Sequence, residues 1–146
     1  MIYGIVNQQL ALQNIKLNLD LAENLPPARA DARQLQQVFL NLINNAVAAM
    51  PDGGTLTIHS RLEKKQRRIE VQFRDTGCGI KPSDIDRIFE PFFTTKPEGK
   101  GTGLGLFVSY GIIAKYGGSI DCYSRHHGDN PGKPSGTTFT VRLATV

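Results

Sequence analysis

The sequence predicts an α+β fold, a two-layer α/β sandwich whose mixed, mostly antiparallel sheet carries helices on one face. Three observations predict it. Residues 31–50 and 104–116 repeat apolar side chains every three or four positions, five shorter stretches have strand character, and four of those five fall as neighbouring pairs.

Residues 1–12 are rich in Gln and medium-sized apolar side chains with weak helical spacing, and read as the tail of something longer. Ile15, Leu17, Leu19 and Leu21 then alternate with Lys16, Asn18 and Asp20, the period of a half-buried strand. Pro26-Pro27 imposes an extended connection. In residues 31–50, Leu35, Val38, Phe39, Leu42, Ile43, Ala46, Val47 and Met50 form one apolar stripe at about 100° per residue. Asp31 is placed to cap its N-terminus, and Pro51 with Asp52-Gly53-Gly54 closes it. Residues 55–61 and 68–73 read as a hairpin, followed by a glycine- and proline-rich stretch, 74–105, with one short helical patch at 82–89 opening at Pro82. Leu106, Phe107, Ile112 and Ile113 give the second helix, ended by Gly117-Gly118. Residues 119–124 and 137–143 are two more strands around a polar loop.

Composition narrows the class. The length suits one domain able to bury a core without staples. Cys78 and Cys122 form no C-x-x-C, so neither a zinc site nor a disulfide framework is indicated, and a reducing compartment fits. No run approaches a membrane span, and MIYGIVNQQL lacks a signal peptide's basic start and apolar core, so a soluble chain is expected. The net charge is +4, but Arg61, Lys64, Lys65, Arg67 and Arg68 bracket a turn without interleaved aromatics, which favours a solvated loop over a nucleic-acid surface.

Three stretches carry chemistry. Asn is a poor residue for a helix interior, yet Asn41, Asn44 and Asn45 interrupt the first helix. Asn44 lies opposite the stripe and reads as solvated, whereas Asn41 and Asn45 stack one turn apart on its flank, where they can face a polar ligand. Asp75-Thr76-Gly77-Cys78-Gly79-Ile80 follows a strand, so a carboxylate able to accept from adenine's amine stands beside glycines that admit a bound group closely. An ordinary Asp-Gly turn is the alternative. Residues 99–106, GKGTGLGL, free backbone N–H groups before a helix for an anion such as phosphate, although the spacing is not that of a P-loop and a flexible hinge is the alternative.

In this order, NLINNA (41–46), DTGCGI (75–80), RIFEPFFTTK (87–96), GKGTGLGL, then GGSI and GTTF, the chain resembles the ATP-binding catalytic domain of sensor histidine kinases, in the superfamily of gyrase, Hsp90, histidine kinases and MutL with its Bergerat ATP-binding fold. The run EPFFTTKPEGKGTGLGL is most similar to the nitrogen-regulation and dicarboxylate-sensing branch. The resemblance implies ATP and Mg²⁺ as cofactors. It implies that Asp75 binds the adenine amine, aided by the Gly79 backbone and by Thr137 through water, with Gly77 and Ile80 in the same box. Asn45 would ligate Mg²⁺ and Asn41 support the phosphates; Gly101, Thr102, Gly103, Leu104, Gly105 and Leu106 would face the triphosphate, with Lys96 or Lys100 in reach. Residues 90–102 would be a lid, packed down by Phe92 and Phe93.

It further implies residues 1–12 as a linker from a dimerisation domain, residues 13–146 as the catalytic domain, transfer of the γ-phosphoryl to a histidine on that other domain, and onward passage to a response regulator receiver. Neither nucleic-acid nor membrane contact is expected, and the location is cytoplasmic, whether free or as the cytoplasmic portion of a membrane-anchored sensor. Two departures matter. His59 lies mid-strand and His126-His127 in a polar loop, so none suits the phosphate-accepting role. ATP-hydrolysing members carry a Glu four residues before the metal asparagine; here that position is Asn41, and an amide is no general base. The alternatives are an ATP-hydrolysing clamp or an anti-sigma-type serine kinase of the same fold, and, outside enzymes, a nucleotide-sensing module or nucleic-acid binder.

Overall fold

The structure, a computed structural model, describes residues 10–94, 103–128 and 132–146. Five strands, β1 (Ile15–Leu21), β2 (Gly54–Glu63), β3 (Arg68–Asp75), β4 (Ser119–Arg125) and β5 (Gly136–Ala144), form one sheet in the order β1-β2-β3-β5-β4. Only β1 and β2 pair in parallel, because the chain between them crosses the sheet through helix α1 (Ala32–Ala49). The other pairings are antiparallel, as expected for an α+β sandwich of mixed sheet and one helical layer.

Helix α1 begins where Asp31 places it, the carboxylate accepting the N–H of Arg33 at 2.8 Å and of Gln34 at 3.1 Å. Val38, Leu42, Ile43 and Ala46 are buried from its stripe, and the Phe39 ring meets the Phe73 ring of β3 at 5.4 Å. Helix α2 (Gly105–Lys115) adds Ile112 and Ile113 to the same core, against Ile120, Phe139, Val141 and Leu143. Truncating any of these to Ala removes transfer energy and leaves a void, about 2–5 kcal/mol at such sites. Leu10, within the stretch read as linker, is 1% exposed and packs in this core, whereas Leu12 is exposed.

The opposite face of the sheet is polar. Glu70 is buried there between Arg61, at 3.0 Å, and Arg142, at 3.5 Å, which also pairs with Asp121. This charge row crosses β2, β3, β5 and β4 far from the helical layer.

Residues 82–89 do not form the expected helix. A 3-10 turn, Ile85–Arg87, takes its place, with successive bonds of the i to i−3 type: Asp84 N–H to Lys81 O, Arg87 N–H to Asp84 O and Glu90 N–H to Arg87 O. Pro82 supplies no donor and Pro91 blocks continuation, so the stretch is too short to offset helix nucleation. It still carries Ile88 into the core and sets Phe89 against Tyr110 and Phe139.

Candidate functional site

Between the helical layer and the sheet lies a cavity of about 620 Å³, lined among others by Asn41, Asn45, Asp75, Gly79, Ile80, Gly103, Gly105, Leu106 and Thr137. Residues separated by as many as ninety-six positions in the chain are thus brought to one wall. Gly77, whose N–H donates to Asp75 Oδ1, and Leu104, the residue before α2, are not among the residues that line it. Lys96, Lys100, Gly101 and Thr102 lie outside the described residues.

Asp75 is the last residue of β3 and is 5% exposed. Its Oδ1 accepts the backbone N–H of Gly77 at 2.8 Å and of Thr137 at 3.2 Å. Burial pushes the carboxyl above its ordinary value, and those two N–H groups pull it back. With Oδ1 taken up by the backbone, Oδ2 remains as the acceptor for a ligand's donor.

The loop after Asp75 is fixed from both sides. The Cys78 N–H bonds Ala49 O of α1 at 3.1 Å, and the Ile80 N–H bonds Ser124 Oγ of β4 at 2.7 Å. Ser124 in turn meets Thr137 Oγ1 at 2.8 Å and Gly136 O at 3.1 Å, while Ser135 Oγ donates to Gly77 O. Gly79 sits at φ +79°, and a Cβ there would lie 2.1 Å from Arg125 O, so only glycine lets the loop close on the β4 end. Gly103 plays the same part across the site, at φ +72° against the Phe92 backbone, whose N–H bonds Gly103 O at 2.9 Å.

Helix α2 starts at the cavity, and among the described residues no side chain caps it; its last turn carries Lys115. Uncapped N–H groups and the positive end of the helix dipole suit an anion. Helix α1 measures the distance between the two loops. It touches Cys78 through Ala49 and Gly105 through Asn41, eight residues or roughly 12 Å apart along the axis, with Asn45 halfway between. The site therefore has a carboxylate at one end, helix N–H groups at the other and an amide in the middle.

Asn41 donates through Nδ2 to Gly105 O at 3.2 Å and to Ser109 Oγ at 3.0 Å. Asn45 differs: its Nδ2 is buried and has no hydrogen-bond partner among the described residues. An amide held unpaired in a cavity wall awaits a ligand's partner, and turning it about its last torsion presents the oxygen, a hard donor suited to Mg²⁺. Among the described residues no group of three His, Cys, Asp or Glu gathers for a metal. Asn44 is exposed, as its place on the helix requires, though it reaches the cavity mouth.

Sequence reasoning missed several residues. Ser124 and Ser135 act through hydrogen bonds to partners 12 to 58 positions away, for which no local pattern exists. Lys81, Asp84 and His126 also line the cavity; the histidine's Nδ1 accepts the Gly128 N–H at 3.2 Å, and its ring lies 4.6 Å from that of His127. Of the two phenylalanines expected to pack a lid down, Phe93 lines the cavity beneath the Arg87 guanidinium, 4.6 Å above its ring, whereas Phe92 is 73% exposed.

A buried carboxylate, the start of a helix and an unpaired amide thus line one cleft of an α+β domain. Residues 30–146 match the model of the histidine kinase-, DNA gyrase B- and HSP90-like ATPases, and the chain belongs to that family. It is 38% identical to sporulation kinase E of Bacillus subtilis over 95% of this chain and 18% of that protein. It is 41% identical to sensor kinase CckA of Brucella abortus over 92% of this chain and 15% of that protein. The chain thus spans less than a fifth of either relative. Among solved structures, the catalytic domain of histidine kinase ThkA superposes with a TM-score of 0.82 at 29% identity, covering 99% of this chain and 88% of that one. Full-length ShkA in complex with AMPPNP gives 0.74 at 26%, over 100% and 31%. Histidine kinase ThkA in complex with response regulator protein TrrA gives 0.77 at 25%, over 99% and 38%.

Proposed function

We propose that this chain binds Mg²⁺-ATP in the cleft and presents the γ-phosphoryl group to a histidine carried on a separate dimerisation domain, from which it passes to a response regulator receiver. The observation that carries the reading is that one cleft is lined by Asp75, Asn45 and Gly105, while α1 contacts the loop after Asp75 at Ala49 and the start of α2 at Asn41, with Asn45 midway between those contacts. Asp75 Oδ2 accepts from the adenine amine, Thr137 and the Gly79 backbone complete the base end, and the N–H groups of Gly105 and Leu106 hold phosphate. Lys96, Lys100, Gly101 and Thr102, outside the described residues, are proposed as further phosphate contacts on the sequence resemblance alone. Asn45 would hold Mg²⁺ together with the phosphates, and the ion when bound would supply charge neutralisation. What the chain itself contributes is positioning and pre-set N–H dipoles; the attacking imidazole and any base come from outside residues 13–146.

The partners rest on the relatives, which are sensor kinases, and on the neighbour solved with a response regulator, and a cytoplasmic location is proposed together with them. No described helix is long and apolar enough to cross a membrane. Asn41 supports donation over hydrolysis, since an amide one turn before Asn45 cannot take a proton from water. Calorimetry with Mg²⁺-ATP, followed by incubation with a purified phosphoacceptor helical hairpin, tests the proposal. Tight binding and acid-labile labelling of the hairpin are expected. Vigorous steady-state ATP hydrolysis by the chain alone, abolished by Asn45→Ala, would establish a hydrolase instead.

A further inference from the structure

We infer that Ser109 and Asn41 form a strut that orients the phosphate end of α2, which makes Ser109 a positioning residue for a triphosphate it never touches. The inference rests on the assignment of that helix end to the phosphates. Ser109 is 0% exposed, lies one turn into α2 and is absent from the cavity wall, yet its Oγ accepts a hydrogen from Asn41 Nδ2 at 3.0 Å. Asn41 gives its other hydrogen to Gly105 O, the first residue of the helix, at 3.2 Å.

The two donors of this amide are therefore spent on α2, and only its oxygen is left, which cannot donate to phosphate. Toward the phosphate oxygens themselves, Asn41 acts by holding the helix. A second clamp joins the same pair of helices, Tyr116 Oη donating to Gln34 Oε1. Gln34 and Asn41 are seven residues apart on α1, as are Ser109 on α2 and Tyr116 just past its end, so the antiparallel helices are pinned by matched polar contacts two turns apart.

The pinning matters because the rest of the contact is apolar. Ile112 and Ile113 bury area without fixing rotation about the helix axis, whereas hydrogen bonds are directional. A buried helical position would suit Ala better than Ser, and a buried hydroxyl needs a partner. The Asn41 amide is that partner. A small rotation of α2 would re-aim the N–H groups of Gly105 and Leu106 and leave the Asp75 end untouched.

Two variants and two ligands test this. In Ser109→Ala, affinity for Mg²⁺-ATP should fall about three- to tenfold, the scale of one hydrogen bond, with adenosine affinity unchanged. Asn41→Leu should show the same selective loss, and the double variant should lose no more than Asn41→Leu alone. Overturning results are equally plain: ATP affinity untouched in Ser109→Ala, a loss in Asn41→Leu without one in Ser109→Ala, or equal losses for ATP and adenosine that track a lower melting temperature. Failure of the unmodified chain to bind Mg²⁺-ATP would remove the nucleotide assignment itself, and the strut's purpose with it.

Discussion

Asp75 and Thr137 are joined across the β3–β5 pair by a hydrogen bond from the Thr137 backbone N–H to Asp75 Oδ1, at 3.2 Å, inside the cavity wall. Oδ1 is thereby held by the backbone, and Oδ2 is the oxygen the proposed function assigns to the adenine amine. Asp75→Asn separates their roles. The amide oxygen can keep the Gly77 and Thr137 bonds while an NH₂ replaces the oxygen meant for the adenine amine, setting donor against donor. Nucleotide affinity should fall by about 1–3 kcal/mol, the cost of an unmade buried hydrogen bond. Thermal stability should hold or rise, because a buried charge has been removed. Calorimetry and a thermal melt on one preparation check both; a variant that binds ATP normally takes Asp75 out of the site.

The same carboxylate makes ligand-free stability depend on pH. Its folded pKa is raised above the ordinary 3.8, chiefly by burial, so between those two values the native state holds more protons than the unfolded chain. Its contribution is fully present below 3.8 and is lost as pH rises through the folded value. A ligand that bonds the ionised oxygen pulls the other way and lowers that pKa. ATP binding should therefore weaken as pH falls through the folded value, and this component should vanish in Asp75→Asn. Parallel pH profiles for the two proteins, in affinity and in melting temperature, would contradict the linkage.

Much of this site was legible because helix geometry is local. A period of 3.6 places Asn41 and Asn45 on one flank and Asn44 away from it, and the strands follow from alternation, with β2 and β3 only somewhat longer than the 55–61 and 68–73 expected. What stayed hidden is non-local. Ser109 reads as one more polar residue in an apolar helix until Asn41, 68 positions earlier, arrives beside it, and Ser124 is unremarkable until Ile80 donates to it. The 82–89 patch misled for a different reason: Ile85, Ile88 and Phe89 have helical spacing, but proline at both ends leaves room only for a 3-10 turn.

The two cysteines report on the cleft from opposite sides of the wall. Cys78 is exposed and lines the cavity, while Cys122 faces the core of β4, where burial and then the Asp75 charge push its thiol up to about 12. A maleimide probe at neutral pH should label Cys78 and leave Cys122 unmodified, since the thiolate is the reacting form. Mg²⁺-ATP should slow that labelling. Mass spectrometry of tryptic peptides distinguishes the sites, and labelling of Cys78 at one rate with and without nucleotide would place the ligand elsewhere.

Asn45 separates metal chemistry from folding. Its buried Nδ2 has no partner among the described residues, so the ligand-free domain carries the cost of an unsatisfied donor, about 1–3 kcal/mol, for which folding gives no return. Asn45→Ala removes that donor and substitutes the best helix former, so the melting temperature should stay level or rise. Function should move the other way. In the unmodified chain Mg²⁺ should tighten ATP binding; in Asn45→Ala that increment should disappear, leaving ATP without Mg²⁺, and adenosine, bound as before. The opposed shifts identify a residue kept for its ligand, since a core residue would lose stability and binding together. Titrating ATP with and without Mg²⁺, beside a melt of each protein, is sufficient. A Mg²⁺ increment of undiminished size in Asn45→Ala would assign the cation to other oxygens and return Asn45 to a structural role.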